Sequence, residues 1–226
     1  MNVLIIEDDK CIAESVSLTV RIRWPEAHIE FTDLGKKGIE LAHSEKVDII
    51  ILDLVLPDVS GFEVLKQIRA FSSVPIVILT ALGDEDNVIK ALELGADDYI
   101  TKPCGRLALL ARIKARIRSS KRTDEESVIS WGSLRFDSLK LELLFRNKEI
   151  KLTTTEAKMI ECLLRNAGSV VPYSRIVEEL WGDNYPGTLD SVRVHIRRLR
   201  QKMEPDPSHP QLIITKPGVG YFLAKP

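Results

Sequence analysis

Short apolar runs alternate with amphipathic stretches through the first half of the chain. The clearest runs, at residues 3–6, 49–52 and 76–79, are continuous and rich in branched side chains. Such runs are typical of strands buried on both faces of a parallel sheet. Two weaker strands are predicted at 28–31 and 99–101, and helices over about 10–23, 35–44, 60–71, 85–94 and 105–119. Five strand–helix units in series predict an α/β fold with a doubly wound, five-stranded parallel sheet.

A different rhythm begins after residues 120–127, a segment without apolar side chains that predicts a linker. Between 128 and 152 the apolar residues alternate in short pieces, with Asn147 at a predicted turn, which indicates a small antiparallel meander. Thr153 and Glu156 have the spacing of a capping box, so a helix is predicted from there to Ala167. Further helices are predicted over about 174–181 and 188–203, and a hairpin over 213–223. We therefore expect a first domain over 1–119, the linker, and a small α+β domain over 128–226.

Composition places the chain among ordinary globular proteins, because 44% of its residues are hydrophobic and 29% are charged. No apolar run approaches the roughly 18 residues of a membrane span, and the N-terminus lacks the pattern of a signal peptide. The three cysteines have no metal-binding spacing, which suits a reducing cytoplasm. Residues 1–120 carry 15 basic and 19 acidic side chains, whereas 121–226 carry 17 and 14. This asymmetry indicates two modules with different partners.

Chemically active side chains stand at the ends of the predicted strands. They are Glu7 and Asp8 after the first strand, Asp53 after the third, Thr80 at the end of the fourth and Lys102 after the fifth. Because the carboxyl ends of parallel strands share one edge of the sheet, these side chains are expected to converge. Converging carboxylates repel one another unless a cation joins them, and Mg²⁺ suits such a site. Asp53 would then be a nucleophile toward a phosphoryl group, with Lys102 offsetting the negative charge.

Together with Leu56-Pro57-Asp58 and Gly61, this set resembles the receiver domain of two-component response regulators over about residues 1–120. The resemblance implies that Asp53 accepts a phosphoryl group from the phosphohistidine of a sensor histidine kinase. The metal ligands that it implies, for Mg²⁺ or for Mn²⁺ in its place, are Glu7 through water, Asp8, Asp53 and the backbone carbonyl of Val55.

The resemblance also implies a switch in this pocket. Thr80, with the small Ala81 beside it, and Lys102 would bind the phosphoryl group, and Tyr99 would rotate inward as Thr80 moves. The alternative for Tyr99 is a half-buried aromatic side chain at a strand edge. A cis peptide bond is implied before Pro103.

Two departures from the receiver pattern stand close to the pocket. Cys104 occupies a position that is usually Phe, and we interpret it as a small core residue, with a redox-active thiol as the alternative. Val55 and Leu82 stand two residues after Asp53 and Thr80, and neither side chain can orient a hydrolytic water. Slow autodephosphorylation is therefore predicted.

Charged side chains alternate along the fourth helix, the fifth strand and the fifth helix. They are Lys90, Glu93, Asp97, Asp98, Arg112 and Lys114. A solvated face is one interpretation, since exposed ion pairs stabilise little. The resemblance implies instead that phosphorylation creates a homodimer through this face, whose two-fold interface is self-complementary. Ala108 replaces an acid that the family has near the start of the last helix, which removes one partner for Lys90.

The predicted helix over 188–203 is strongly basic. Val192, Ile196 and Leu199 recur at helical spacing and predict one buried stripe. The remaining surface is cationic, and we assign Arg193, His195, Arg197, Arg198, Arg200 and Lys202 to DNA contacts. The alternative is a solvated basic helix, although such helices usually interleave acids with their cations.

Residues 128–226 resemble the winged-helix effector domain of the OmpR/PhoB class. The resemblance rests on Leu152-Thr-x-x-Glu156, Leu180-Trp181-Gly182, Val194-His195-Ile196-x-x-Leu199-Arg200 and Gly218-x-Gly220-Tyr221. It implies that the basic helix enters the major groove and the hairpin the minor groove, where Thr215 contacts a phosphate and Lys216 lies beside it. It also implies a contact between the loop 182–187 and RNA polymerase. Asp190 departs from the family, which often has Arg there, and an acid would repel a phosphate; Arg193 nearby would compensate.

We therefore interpret the sequence as a cytoplasmic, DNA-binding transcriptional response regulator that is not an enzyme beyond its self-catalysed phosphotransfer. Phosphorylated dimers would bind direct repeats in promoter DNA, about one helical turn apart. One alternative is a constitutively dimeric regulator that is independent of phosphorylation and has a vestigial receiver. A dehalogenase-like phosphatase also uses an Asp nucleophile, but it needs a second acid at position 55, where this chain has Val.

Overall fold

A computed structural model describes residues 1–117, 127–181 and 189–226. The chain divides into two compact units, Met1–Ile117 and Arg118–Pro226. Residues 118–126, which include most of the predicted linker, and residues 182–188, which include the predicted loop 182–187, lie outside the described residues. Among the helices of the described ranges, none is both long enough and apolar enough to cross a membrane.

The first unit is the predicted five-stranded parallel sheet with helices. Its strands are β1 (Asn2–Ile6), β2 (His28–Thr32), β3 (Ile49–Leu52), β4 (Ile76–Thr80) and β5 (Asp98–Thr101). Its helices are α1 (Lys10–Arg23), α2 (Gly35–Ser44), α3 (Gly61–Phe71), α4 (Glu85–Leu94) and α5 (Arg106–Ile117). The strand order is β2-β1-β3-β4-β5. Successive connections therefore reverse direction between β1 and β3, and side chains that follow these two strands meet at that point.

The apolar runs form the core of this unit, as their pattern predicted. Every residue of β3 is at most 2% exposed, and β4 and residues 3–6 of β1 are buried to a similar degree. Val16 and Val20 of α1 pack with Leu109 and Ile113 of α5 against one face of the sheet. A strand that is covered on both faces buries the side chains of both, and this explains why its hydrophobic residues follow one another without polar residues between them.

Two aspartates cap helices beside the site. The Asp9 Oδ1 accepts hydrogen bonds from the backbone N–H groups of Cys11 and Ile12 at the start of α1. The first two N–H groups of α2, at Gly35 and Lys36, donate to the two carboxylate oxygens of Asp58 at 2.7 and 3.0 Å. Asp58 thus anchors the loop after β3 to a neighbouring helix, and these hydrogen bonds lower the pKa of its carboxyl.

In the described residues of the second unit, two antiparallel sheets combine with three helices. One sheet contains β6 (Val128–Trp131), β7 (Leu134–Asp137), β8 (Glu142–Phe145) and β9 (Lys148–Lys151) in sequence order. The helices are α6 (Thr154–Arg165), α7 (Tyr173–Trp181) and α8 (Leu189–Met203). The second sheet has the order β10-β12-β11 and contains β10 (Val170–Pro172), β11 (Ile213–Lys216) and β12 (Gly220–Leu223). This is the small α+β domain with a terminal hairpin that the pattern predicted.

Side-chain packing in this unit explains two sequence features. Val192, Ile196 and Leu199 are at most 1% exposed, so the predicted apolar stripe of α8 is confirmed. At position 220, a Cβ would stand 1.9 Å from the carbonyl oxygen of Val171. Only glycine therefore allows β12 to pair with β10, a three-residue strand that the sequence pattern did not predict.

Candidate functional site

The predicted acidic pocket forms at the carboxyl edge of the parallel sheet. Lys102 Nζ donates hydrogen bonds to Glu7 Oε2 and Asp53 Oδ2, each at 2.6 Å. Glu7 and Asp53 are 2% and 5% exposed, whereas Asp8 is exposed. Carboxylate oxygens of Glu7, Asp8 and Asp53 lie within 4.8 Å of one another. Three acids and one cation from three different strand ends therefore converge on one point.

The electrostatics of the pocket reflect burial of like charges. Burial raises the pKa of Glu7 to about 7, against the opposing effect of Lys102 and with a contribution from Asp53. Burial alone would lower the pKa of Lys102, but its bonds to Asp53 and Glu7 outweigh burial and raise it. Such a cluster of hard oxygen donors fits a divalent cation of the Mg²⁺ class.

The loop after β3 holds Asp53 and Val55 in place. The Val55 N–H donates to Asp53 Oδ1 at 3.1 Å, and the Gly61 N–H donates to the Leu54 carbonyl at 2.9 Å. At position 61 a Cβ would stand 2.2 Å from the Asp53 carbonyl oxygen, so the start of α3 can approach the loop only with glycine there. Together with the bonds of Asp58 to α2, these contacts fix the direction of the Asp53 side chain and of the backbone at Val55.

Thr80 and Tyr99 meet at the segment after β4. Thr80 is fully buried, and its Oγ1 accepts from the Leu82 N–H at 3.4 Å. The Tyr99 hydroxyl donates to the Leu82 carbonyl oxygen, so its ring lies inward with only 8% of the residue exposed. Burial, with Asp84 and Asp53 contributing, raises the pKa of Tyr99 to about 12, which keeps the hydroxyl a donor. Ala81 is exposed beside Thr80.

The segment after β5 has the expected backbone and an apolar anchor. The Lys102–Pro103 peptide bond is cis, as the resemblance implied. Cys104 is half-buried and packs against the core beside Leu109 and Ile113. Burial raises the pKa of its thiol, which disfavours the reactive thiolate and favours the interpretation as a small core residue.

Only some of the residues predicted for the charged face of α4, β5 and α5 are exposed to solvent. Lys90, Glu93 and Lys114 are exposed. Asp97 and Asp98 are 0% and 1% exposed, so the interpretation of these two acids as surface residues is wrong. Asp98 is the first residue of β5 and Asp97 precedes it, and the fold supplies both with arginine partners.

Those partners come from the same chain. Arg69 Nη2 lies 2.8 Å from Asp97 Oδ2, which also accepts from the Ile76 N–H. Asp98 pairs with Arg112 at 2.5 Å and with Arg116 at 3.3 Å. Arg112, which we placed on the dimer face from the sequence, is therefore already engaged with Asp98 inside its own domain.

Three of the cations assigned to DNA on α8 are bonded within the effector domain. Glu156, which is fully buried, pairs with Arg198 at 3.1 Å and with Lys202 at 2.6 Å. Arg200 donates to the Ile213 carbonyl at 2.6 and 3.0 Å and to Thr215 Oγ1 at 2.8 Å. Arg198 and Lys202 thereby fasten α8 to α6, and Arg200 fastens it to the β11–β12 hairpin.

The assignment of His195 to a DNA contact is wrong. His195 is 0% exposed and its ring lies 5.9 Å from that of Trp181, so it is a core residue rather than a phosphate contact. The helix turns both Val194 and His195 inward because α7 covers a second side of α8. Arg193 and Arg197 are exposed on α8, and Thr215 and Lys216 are exposed on the hairpin.

Glu156 has two roles, of which the sequence predicted one. Its capping-box role is confirmed, since Glu156 Oε2 accepts from the Thr153 N–H at 2.9 Å. The same carboxylate neutralises two cations of α8, one of them 46 residues away along the chain. A capping box predicts the first role, and no local spacing predicts the second.

Comparison with known proteins places both units in characterised families. Residues 3–114 match the model of the response regulator receiver domain, and residues 147–223 match that of the C-terminal domain of transcriptional regulatory proteins. The sensory transduction protein RegX3 of Mycolicibacterium smegmatis is 37% identical, with 98% of each chain covered. The transcriptional regulatory protein KdpE of Mycobacterium tuberculosis is 35% identical, with 97% of each chain covered.

Solved structures give the same result. The response regulator DrrB of Thermotoga maritima, an OmpR/PhoB homologue, is 31% identical with a TM-score of 0.52, covering 99% of this chain and 98% of its own. A RitR variant has a TM-score of 0.80 at 23% identity over 100% and 99% of the two chains, which supports the fold alone.

Proposed function

Because this chain belongs to the two-component response regulators of the OmpR/PhoB class, we propose that Asp53 accepts a phosphoryl group from a sensor histidine kinase and that this controls promoter binding. The observation that carries the proposal is the convergence of Glu7, Asp8 and Asp53, two of which, Glu7 and Asp53, are bonded to Lys102. A receiver that had lost its chemistry would have no need to bury two carboxylates around a lysine, since that arrangement costs desolvation energy.

The proposed chemistry is in-line phosphoryl transfer. An Asp53 oxygen attacks phosphorus while the bond to the kinase imidazole breaks, and an acyl phosphate forms. Lys102, already 2.6 Å from Asp53, offsets charge on the phosphoryl oxygens, and the Thr80 hydroxyl donates a hydrogen bond to the product. Mg²⁺, or Mn²⁺, held by Asp8, Asp53 and the Val55 carbonyl and by Glu7 through water, would supply further charge neutralisation.

We propose that the signal leaves the pocket through Thr80 and Tyr99. Both contact Leu82, one through its N–H group and the other through its carbonyl. A movement of Thr80 toward a phosphoryl group would therefore displace Leu82, the residue to which Tyr99 is also bonded. Leu82 precedes α4, which belongs to the proposed dimer face of α4, β5 and α5.

The dimer face is narrower than the sequence suggested. Its exposed members are Lys90, Glu93 and Lys114, with Arg112 held from inside by Asp98. A homodimer would place two α8 helices on direct repeats of promoter DNA and raise affinity by effective concentration. Within each half-site, Arg193 and Arg197 of α8 would enter the major groove, and Thr215 and Lys216 would lie at the minor groove. The loop 182–187 would contact RNA polymerase, and the protein would act in the cytoplasm.

Molar mass in solution tests this proposal directly. The full chain is measured with Mg²⁺, with and without beryllofluoride, beside Asp53→Asn, and the affinity for promoter DNA is recorded for each sample. We expect a monomer that becomes a dimer and binds DNA more tightly only when Asp53 is intact. A dimer that is insensitive to beryllofluoride would favour the alternative regulator with a vestigial receiver.

The phosphorylated protein should lose its phosphoryl group slowly. Val55 is 52% exposed and Leu82 is half-buried, and neither side chain can hydrogen-bond an attacking water. Val55→Asn places an amide at the exposed position and should shorten the half-life of phospho-Asp53 several-fold. The measurement is release of inorganic phosphate after the phosphodonor is removed. A wild-type half-life as short as that of the variant would contradict the prediction.

A further inference from the structure

The helix α8 carries a single acid, Asp190, in its first turn. Asp190 Oδ1 lies 2.7 Å from Arg193 Nη1, and the two side chains are 42% and 62% exposed. Arg193 is one of the two exposed arginines of α8. The proposed DNA-binding side of the helix therefore presents an ion pair, not a lone cation.

Neither a contribution to helix stability nor a contribution to general DNA affinity explains the carboxylate of Asp190. Exposed ion pairs one helical turn apart stabilise a helix little. A carboxylate beside a nucleic acid repels the phosphates of every sequence equally and lowers affinity. The remaining structural role is the favourable position of an acid at a helix N-terminus, and that role predicts an effect on folding alone.

The pair is suited to recognition of particular bases. An arginine has five N–H donors, so Arg193 keeps donors for a bidentate contact with guanine O6 and N7 while Asp190 holds its Nη1. A side chain that is held before binding loses less conformational freedom on contact. A carboxylate oxygen can accept from the N4 amino group of cytosine. Residues three apart are separated by about 4.5 Å along a helix, close to the roughly 3.4 Å between successive bases.

We propose that Asp190 and Arg193 act as one specificity-determining unit, in which Asp190 orients Arg193 toward a guanine and accepts from a cytosine in the same or the neighbouring base pair. This inference rests on the proposed function, because it assumes that α8 enters the major groove. The carboxylate also disfavours sequences that cannot offer it an amino group, so it contributes to specificity by penalising wrong sites.

Affinity for selected and shuffled DNA tests the proposal. The full chain is used to enrich binding sequences from a pool of duplexes with a randomised core, and dissociation constants are measured for the enriched duplex and for a shuffled duplex. The variants are Asp190→Asn, Arg193→Lys and the double variant, with Glu149→Gln on β9 as an exposed control that removes the same charge. We expect Asp190→Asn to tighten binding of the shuffled duplex and to lower the ratio of the two affinities by about tenfold.

The double variant distinguishes coupled action of Asp190 and Arg193 from independent action of the two residues. Because Asp190 orients Arg193 in addition to its own contact with a cytosine, the double variant should lose less specificity than the sum of the two single losses, and strictly additive losses would contradict a coupled unit. A ratio that stays at its wild-type value in Asp190→Asn, with both duplexes bound more tightly, would overturn the inference and leave a purely repulsive acid. An altered unfolding midpoint with both affinities unchanged would also overturn it in favour of the helix-end role. If the wild type binds no duplex with salt-dependent affinity, the proposed function itself fails.

Discussion

Replacing Lys102 with methionine is expected to slow phosphorylation of Asp53 by about 10²–10³-fold, the usual cost of removing one preorganised donor from a site of charge development. Lys102 is 14% exposed at its side chain and reaches both Glu7 and Asp53 at 2.6 Å. Methionine matches the four-atom aliphatic stem of lysine and lacks the ammonium group, so the charge and the donors are removed. The substitution therefore tests the electrostatic role with little change in packing.

The loss of the ammonium has a second consequence in the same pocket. Glu7 and Asp53 remain buried without their shared cation, and repulsion between them increases. The pKa of Glu7, already about 7, would rise further, so this side chain would hold a proton at neutral pH.

The measurement is the rate of phospho-Asp53 formation from a small-molecule phosphodonor, which avoids any effect on kinase docking. Lys66→Met is the matched control, since Lys66 is an exposed lysine on α3 of the same domain. Lys102→Arg keeps the charge but spreads it over a planar group, and an intermediate rate is expected. A Lys102→Met rate equal to that of the Lys66→Met control would contradict the assigned role.

The pocket could be predicted from the sequence because its parts are fixed by local patterns. Glu7 and Asp53 each follow a short strand that hydrophobicity clearly predicts, Lys102 follows the weaker strand predicted at 99–101, and parallel topology brings strand ends together. The separations of 95 and 49 residues between Lys102 and its two partners did not matter, because the sheet order supplied the long-range information.

It was harder to predict which charged residues are exposed, because a charged side chain can be buried where the fold supplies a partner of opposite charge. From the sequence we predicted Asp97 to be a surface acid, yet in the structure it is buried in an ion pair with Arg69 of α3. Arg198 and Lys202 look like DNA contacts, but Glu156 of α6 binds both. Periodicity predicts which side of a helix is apolar, whereas the partner of a buried charge depends on tertiary packing.

The same network makes Glu156→Gln the substitution with the largest expected effect on stability. Glutamine keeps the size of the side chain and an oxygen that can accept from the Thr153 N–H, so the capping box survives. The charge is lost, and with it the ion pair between Glu156 and Arg198, whose side chain is only 11% exposed. Removing one partner of a buried ion pair typically costs about 3–5 kcal/mol, and we expect a loss of that size in the free energy of unfolding of the effector domain.

Urea unfolding followed by tryptophan fluorescence can measure this loss. Trp131 and Trp181 lie in the effector domain and Trp24 in the receiver, so a Trp24→Phe background reports on the effector alone. Glu178→Gln on α7 is the matched control, because Glu178 is exposed. Adding Arg198→Met to Glu156→Gln should recover part of the stability, since it removes the buried cation. Equal unfolding midpoints for Glu156→Gln and Glu178→Gln would contradict the prediction.

The pH dependence of this difference has a definite sign. Burial alone would raise the pKa of Glu156, but the charges of Arg198 and Lys202 outweigh it, so the pKa in the folded protein lies below the ordinary value of 4.5. The ion pairs therefore contribute fully above about pH 4.5, where the unfolded chain is also ionised, and their contribution disappears as the pH falls through the lower, folded pKa. The stabilities of wild type and Glu156→Gln should consequently converge in acid, and a gap that stays constant across this range would mean that Glu156 stabilises the domain by packing and not by charge.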